Sequence, residues 1–223
     1  MPNWTLLGEA QIPGTEQLMY LYKGKDDFSI KLARGQELMN TRKHGSEDAL
    51  GELPCRRISN PHNARVLIGG LGMGFTLAAA LRSLGPEAEV TVAELIPEVV
   101  EWNRGPLGEC SGKPLEDPRT QVYIGDVARL LKQNSGYYDV IALDVDNGPE
   151  GLTRSSNDWL YNLMGVATAQ SALKPGGILA YWSAAPDPGF LDLLKSCGLL
   201  VDQKMVYAHG NKGARHTIWL ASY

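Results

Sequence analysis

The sequence predicts an α/β fold: a doubly wound, mostly parallel sheet with an antiparallel last strand, preceded by a small N-terminal β segment. Three observations carry this. Apolar strand-like runs alternate with helical stretches from Arg65 onward, an order that brings parallel strands together through right-handed crossovers. A glycine cluster, "GGLGMG" at 69–74, separates the first such run from the first helix. The tail "LLVDQKMVYAHGNKGARHTIWLASY" reads as a hairpin about "GNKG", which turns the final strand back on the sheet.

The same alternation divides the chain into residues 1–60 and 61–223. In the first part, "QLMYLYKG" and "DFSIKLARG" alternate in polarity and break at Gly24 and Gly35, the pattern of a small antiparallel β element. "SEDALGEL" follows as a short helix with Ser46 at its cap. "SNPHNA" (59–64) is a turn-rich joint. Beyond it, the strands are "RVLIGG", "EVTVAEL", "QVYIGD", "YDVIALDVD" and "PGGILAYWS". The intervening helices are "FTLAAALRSLG", "PEVVEWNRGPL" with proline in its first turn, "VARLLKQN", "DWLYNLMGVATAQSAL" and "PGFLDLLKSCG".

Bulk composition narrows the function. With 223 residues, 43% hydrophobic and 21% charged, the chain has the make-up of an ordinary globular domain. A net charge of −4 argues against nucleic acid as the main partner. Cys55, Cys110 and Cys197 are odd in number and form no CxxC pair, so neither a disulfide framework nor a zinc site is expected. The first residues, "MPNWTLLGEA", lack the basic and apolar blocks of a secretory signal, and no apolar run approaches the ~20 residues of a membrane span. The expectation is a cytoplasmic protein with a small-molecule partner and no membrane.

The glycine turn names the class of ligand. Gly69, Gly70, Gly72 and Gly74 let a nucleotide approach the backbone and meet a helix N-terminus. Glu94 ends the second strand twenty residues after Gly74, where a carboxylate accepts the hydroxyls of an adenosine ribose. Asp126 ends the third strand, placed for the exocyclic amine of adenine with Val127 beside the ring, and Asp144 ends the fourth. In an open α/β sheet ligands bind outside the carboxyl ends of the strands, so three successive acids there make a site. NAD and S-adenosylmethionine both remain candidates. Phe75 stands where the third glycine of GxGxxG belongs, and the terminal hairpin suits methyltransferase-type sheets, which favours the sulfonium cofactor.

"VLIGG", "VTVAEL…VVEWNR", "DPRTQVYIGDVARLL", "YYDVIALDVDNGPEGL" and "LKPGGILA" resemble the spermidine synthases, the polyamine aminopropyltransferases, within the class I S-adenosylmethionine-dependent methyltransferase superfamily with its Rossmann-like fold. The resemblance runs over roughly residues 25–223. It implies a sulfonium donor whose ribose meets Glu94, with Leu95 beside it, and whose adenine meets Asp126. It also implies a homodimer, and Asp144 facing the acceptor amine as general base.

The departures redirect the chemistry. The family carries GGGDGG, whose aspartate holds the aminopropyl end of decarboxylated S-adenosylmethionine; here Gly72 takes that place. A carboxylate ~4 Å from the carboxylate of S-adenosylmethionine would cost about 4 kcal/mol at an effective dielectric of 20, nearly three decades in affinity. Its loss favours S-adenosylmethionine and methyl transfer, with aminopropyl transfer from the decarboxylated donor as the alternative. A non-catalytic nucleoside-binding or partner-binding protein is a second alternative. The family's DSSDPxGP is shortened to "DVDNGP", with Asp146 near the second acid, and its YHE becomes "GSE", keeping Glu47. Asp144 and then Asp146 are the expected bases. Glu47, Glu150, His44, Trp159 and Tyr161 are the expected acceptor-binding residues, the acids attracting a cationic amine and the rings stacking on it. Arg42 and Arg154 leave room for an amino-acid-like acceptor. His209 and His216 are expected on the surface of the hairpin.

Overall fold

A computed structural model describes residues 4–33, 35–144, 159–210 and 212–223. The N-terminal β element is larger than the two strands expected. It is a four-stranded antiparallel sheet of β1 (Thr5–Gln11), β2 (Leu18–Lys23), β3 (Phe28–Leu32) and β4 (Glu37–Asn40), paired in chain order. Helix α1 (Gly45–Cys55) follows. His44, not Ser46, takes its N-cap position, and the Ser46 hydroxyl is fully buried.

The large sheet contains β5 (Arg65–Gly69), β6 (Glu89–Glu94), β7 (Thr120–Ile124), β8 (Tyr138–Leu143), β9 (Leu173–Ser183), β10 (Leu200–His209) and β11 (Lys212–Ser222). Its order is β10-β11-β9-β8-β5-β6-β7. The run from β9 to β7 is parallel, and β11 pairs antiparallel with both β9 and β10. The mostly parallel sheet with an antiparallel last strand is therefore as the sequence predicts. Strand order reverses between β5 and β8, which opens a crevice at their carboxyl ends, the usual ligand position of such sheets.

Side-chain alternation sorts the core into two layers. Val66, Ile68, Val92, Ala142 and Trp182 face α1, α2 (Phe75–Ser83) and α3 (Pro97–Arg104). Leu67, Ile141, Leu143 and Tyr181 face α5 (Val127–Gln133), α6 (Leu163–Ala172) and α7 (Pro188–Ser196); α4 (Gly108–Ser111) is a single turn after α3. Helices α1 and α2 cross closely because Gly51 has no side chain. A Cβ there would lie 2.2 Å from the Thr76 carbonyl oxygen. Helix α6 starts later than expected, at Leu163, because the Asn162 side chain accepts from the Met164 and Gly165 N–H groups and caps it.

The "DPR" block serves the edge of the sheet away from the crevice. Arg119 pairs with Asp117 at 2.7 Å and donates to the carbonyls of Leu81, Leu84 and Gly85. It thus closes the C-terminal end of α2, where unpaired carbonyls favour a cation.

Candidate active site

A cavity of about 480 Å³ lies at the carboxyl ends of the parallel strands, within the roughly 300–1,000 Å³ of small-molecule sites. Gly70, Gly72, Glu94, Leu95, Asp126, Val127 and Asp144 line one wall. β4, the start of α1, the end of β9 and the terminal hairpin supply the other, through Met39, Lys43, Glu47, Trp182, His209 and His216.

The first wall is built largely from main chain. Gly70, Gly72 and Gly74 take φ of +93°, +52° and +82°, the left-handed region that favours glycine. Nδ2 of Asn103 donates to the Gly72 carbonyl at 2.8 Å and to the Val99 carbonyl at 2.9 Å, pinning the turn to α3. Glu94, 8% exposed, accepts from the Leu71 N–H at 3.0 Å and the Ile96 N–H at 2.9 Å. Burial pushes its carboxyl up from the ordinary range, and the surrounding N–H groups oppose that. Asp126 caps α5 by accepting from the Ala128 N–H at 2.8 Å through Oδ1 and lines the cavity. The Asp144 N–H donates to the Gly69 carbonyl at 2.8 Å, which joins the ends of β5 and β8. An acidic, half-open groove over a glycine turn fits an adenosyl group: hydroxyl and amine donors on the ligand, carboxylate acceptors on the protein.

Not every expected residue reaches this cavity. Gly69 ends β5 and Gly74 caps α2, so both shape the turn without lining the wall. His44 lies outside it, because its ring stacks on Phe75 at 4.0 Å and its Nδ1 pairs with Asp48 at 2.7 Å. Trp159 and Tyr161 belong to the opposite layer of the sheet. Lys132 sits 4.5 Å over the Trp159 ring, and Tyr161 packs against Tyr181 and Phe190. Asp146, Glu150 and Arg154 lie outside the described residues.

Other residues enter that local sequence did not mark. His216, expected on the surface, is half-buried in the cavity wall, with Trp182 edge-on at 4.8 Å. Its Nδ1 is 2.8 Å from Ser46 Oγ, and Ser46 donates to Glu47 at 2.5 Å. His209 Nδ1 donates to the Arg42 carbonyl at 2.7 Å. Met39 covers the glycine turn, its Sδ 3.3 Å from where a Gly72 Cβ would stand. Lys43 has no acidic partner among the described residues. Nor, among these residues, is any helix long and apolar enough to cross a membrane.

Comparison with known proteins agrees with this architecture. The spermine/spermidine synthase domain is matched over residues 44–187. Spermine synthase of Arabidopsis thaliana is 31% identical over 192 residues, 80% of this chain and 50% of that one. Putrescine N-methyltransferase 4 of Nicotiana tabacum is 33% identical over 128 residues, 57% of this chain and 31% of that one. The chain thus spans half or less of the length of these relatives. A spermidine synthase crystallised with the transition state analogue AdoDATO superposes with a TM-score of 0.76 at 19% identity, covering 97% of this chain and 72% of that one. Domain match, relatives and fold converge: the chain belongs to the spermine/spermidine synthase family.

Proposed function

We propose that the chain transfers a methyl group from S-adenosylmethionine to a small amine or amino-acid-like acceptor, on a polyamine-synthase scaffold. The observation that carries this is the glycine turn. Gly72 replaces the acid expected from the family resemblance, and the Met39 thioether packs over it, taking the space such an acid would fill. Lys43, on the facing wall, is a cation suited to the carboxylate that S-adenosylmethionine carries and its decarboxylated form lacks. The tobacco relative is, by name, an N-methyltransferase acting on putrescine, so the family accommodates this reaction.

When bound, the donor supplies an electrophilic methyl on a sulfonium. This chain's residues hold and orient it: Glu94 for the ribose, Asp126 and Val127 for the adenine, and Gly70 and Gly72 for close approach of the backbone. Asp144, at the end of β8, faces the reacting centre. Most of the acceleration is then positioning of nucleophile, carbon and sulfur in line.

A second reading, aminopropyl transfer from the decarboxylated donor, is favoured by the relatives. Spermine synthase matches over the larger share of the chain, and several polyamine aminopropyltransferases match too. Calorimetric titration with each donor separates the two. Methyl transfer predicts tighter binding of S-adenosylmethionine, and a loss of about 100-fold or more in that affinity in Gly72→Asp with the decarboxylated donor spared. Tighter binding of the decarboxylated donor by the unaltered chain would establish the second reading instead.

A further inference from the structure

We propose that His216, Ser46 and Glu47 form a proton relay that accepts the proton of the acceptor amine; this rests on the amine-transfer reading above. An amine at neutral pH is an ammonium without a lone pair, so a base must take a proton before the nitrogen can attack. Asp144 stands on the donor wall. The acceptor wall carries its own candidate, assembled from two segments 170 residues apart in the chain.

The hydrogen bonds fix its polarity. Ser46 has one hydroxyl proton and gives it to Glu47 at 2.5 Å, so at 2.8 Å it can only accept from His216, whose proton therefore sits on Nδ1. Nε2 is left as a lone pair, with no partner among the described residues, on a ring that lines the cavity. Ser46 is fully buried, which rules it out as a nucleophile and leaves it as a bridge.

The step balances. Nε2 takes the ammonium proton, Nδ1 passes its proton to Ser46, and Ser46 passes its own to the Glu47 carboxylate. The freed amine lone pair forms the N–C bond as the C–S bond breaks, with that bond's electron pair remaining on sulfur. His216 begins and ends neutral, and the relay resets after turnover by running back: Nε2 releases its proton to water as Glu47 returns its own through Ser46 to Nδ1. Burial acts in the same direction on both groups, lowering the His216 pKa and raising that of Glu47, so neither site favours a stranded charge. Glu37, Lys43 and His209 are the other charged or titratable groups on this wall, Glu37 being held by Ser29 and Asn40; Asp144 faces it from the donor side, and His44 and Asp48 act on Glu47 from outside the cavity. Arg215, the neighbour of His216 on β11, is exposed.

Long-range proton–nitrogen NMR of the full chain tests the relay without needing turnover. The expected result is a neutral His216 protonated on Nδ1, moving to the commoner Nε2–H form in Ser46→Ala. An Nε2–H tautomer in the unaltered chain, or one indifferent to Ser46→Ala, overturns the relay; Glu47→Leu, which removes the acceptor and frees the Ser46 proton for Nδ1, gives the same test if Ser46→Ala does not fold. With putrescine as the probe amine, His216→Asn should lower kcat about 100-fold while donor affinity stays within about twofold. An unchanged kcat overturns the catalytic use of the relay. Absence of transfer by the unaltered chain, with the tautomer as expected, counts against the amine-transfer reading and supports the relay as built.

Discussion

Glu94 and Glu47 face one cavity from opposite walls, and burial pushes both carboxyls up. The chain nevertheless holds them in different ways. Glu94 is fixed by backbone N–H groups of its own strand end and of the glycine turn, at Ile96 and Leu71. Glu47 is held by a hydroxyl whose other partner comes from the terminal hairpin. The wall proposed for the donor is therefore built from neighbouring strand ends of one sheet and the β5–α2 turn. The acceptor wall exists only once β4, α1 and β11 have come together.

The largest effect should come from breaking the donor wall. In Glu94→Gln the amide must turn an NH₂ towards either the Leu71 or the Ile96 N–H, donor against donor, in a site that excludes water. A buried mismatch of this kind costs about 1–3 kcal/mol, and the ribose contact proposed for Glu94 weakens as well. Donor affinity by calorimetry should fall about 100-fold. A change below about threefold would mean that the turn, not the carboxylate, recognises the nucleoside.

The donor wall is also the part that was legible in the sequence. The turn, Glu94, Asp126 and Asp144 fall at successive strand ends, and strand ends can be read from apolar runs and glycines. Register parity was the harder matter. Tyr181 and Trp182 are adjacent on β9, yet one packs into the far layer and the other lines the cavity. Trp159 and Tyr161 were expected at the mouth because they follow the fourth strand closely, but they pack under α6 and α7 instead. His216 was legible only as a polar residue in an alternating strand. Its contact with Ser46 is a product of tertiary folding, and no local pattern encodes it.

Lys43 offers a smaller and sharper test, because it asks whether the two walls act independently. It belongs to the acceptor side but carries the charge best suited to the donor's carboxylate. Lys43→Gln should weaken S-adenosylmethionine about threefold and leave the decarboxylated donor unchanged. The modest size reflects an exposed side chain in high dielectric. Added salt should shrink the difference further. Equal weakening of both donors would mean that Lys43 shapes the cavity and does not read the carboxylate.

The smallest effect concerns stability and tests how Glu47 is held. Its folded-state pKa lies above the ordinary 4.5, with burial as the leading cause and the Ser46 hydrogen bond opposing. An acid so displaced binds its proton more readily in the folded chain than in the unfolded one. Its stabilising contribution is therefore complete below pH 4.5 and is lost as pH rises through the folded-state value. Glu47→Gln removes that dependence and, by disturbing the Ser46 contact, costs about 1 kcal/mol at every pH. Denaturation of the two proteins should show the variant further below the unaltered chain at acid pH, with the gap narrowing from about pH 4.5 upward. A constant gap would mean that the Ser46 hydrogen bond offsets the burial of Glu47 in full, so that its charge is held better than that of Glu94.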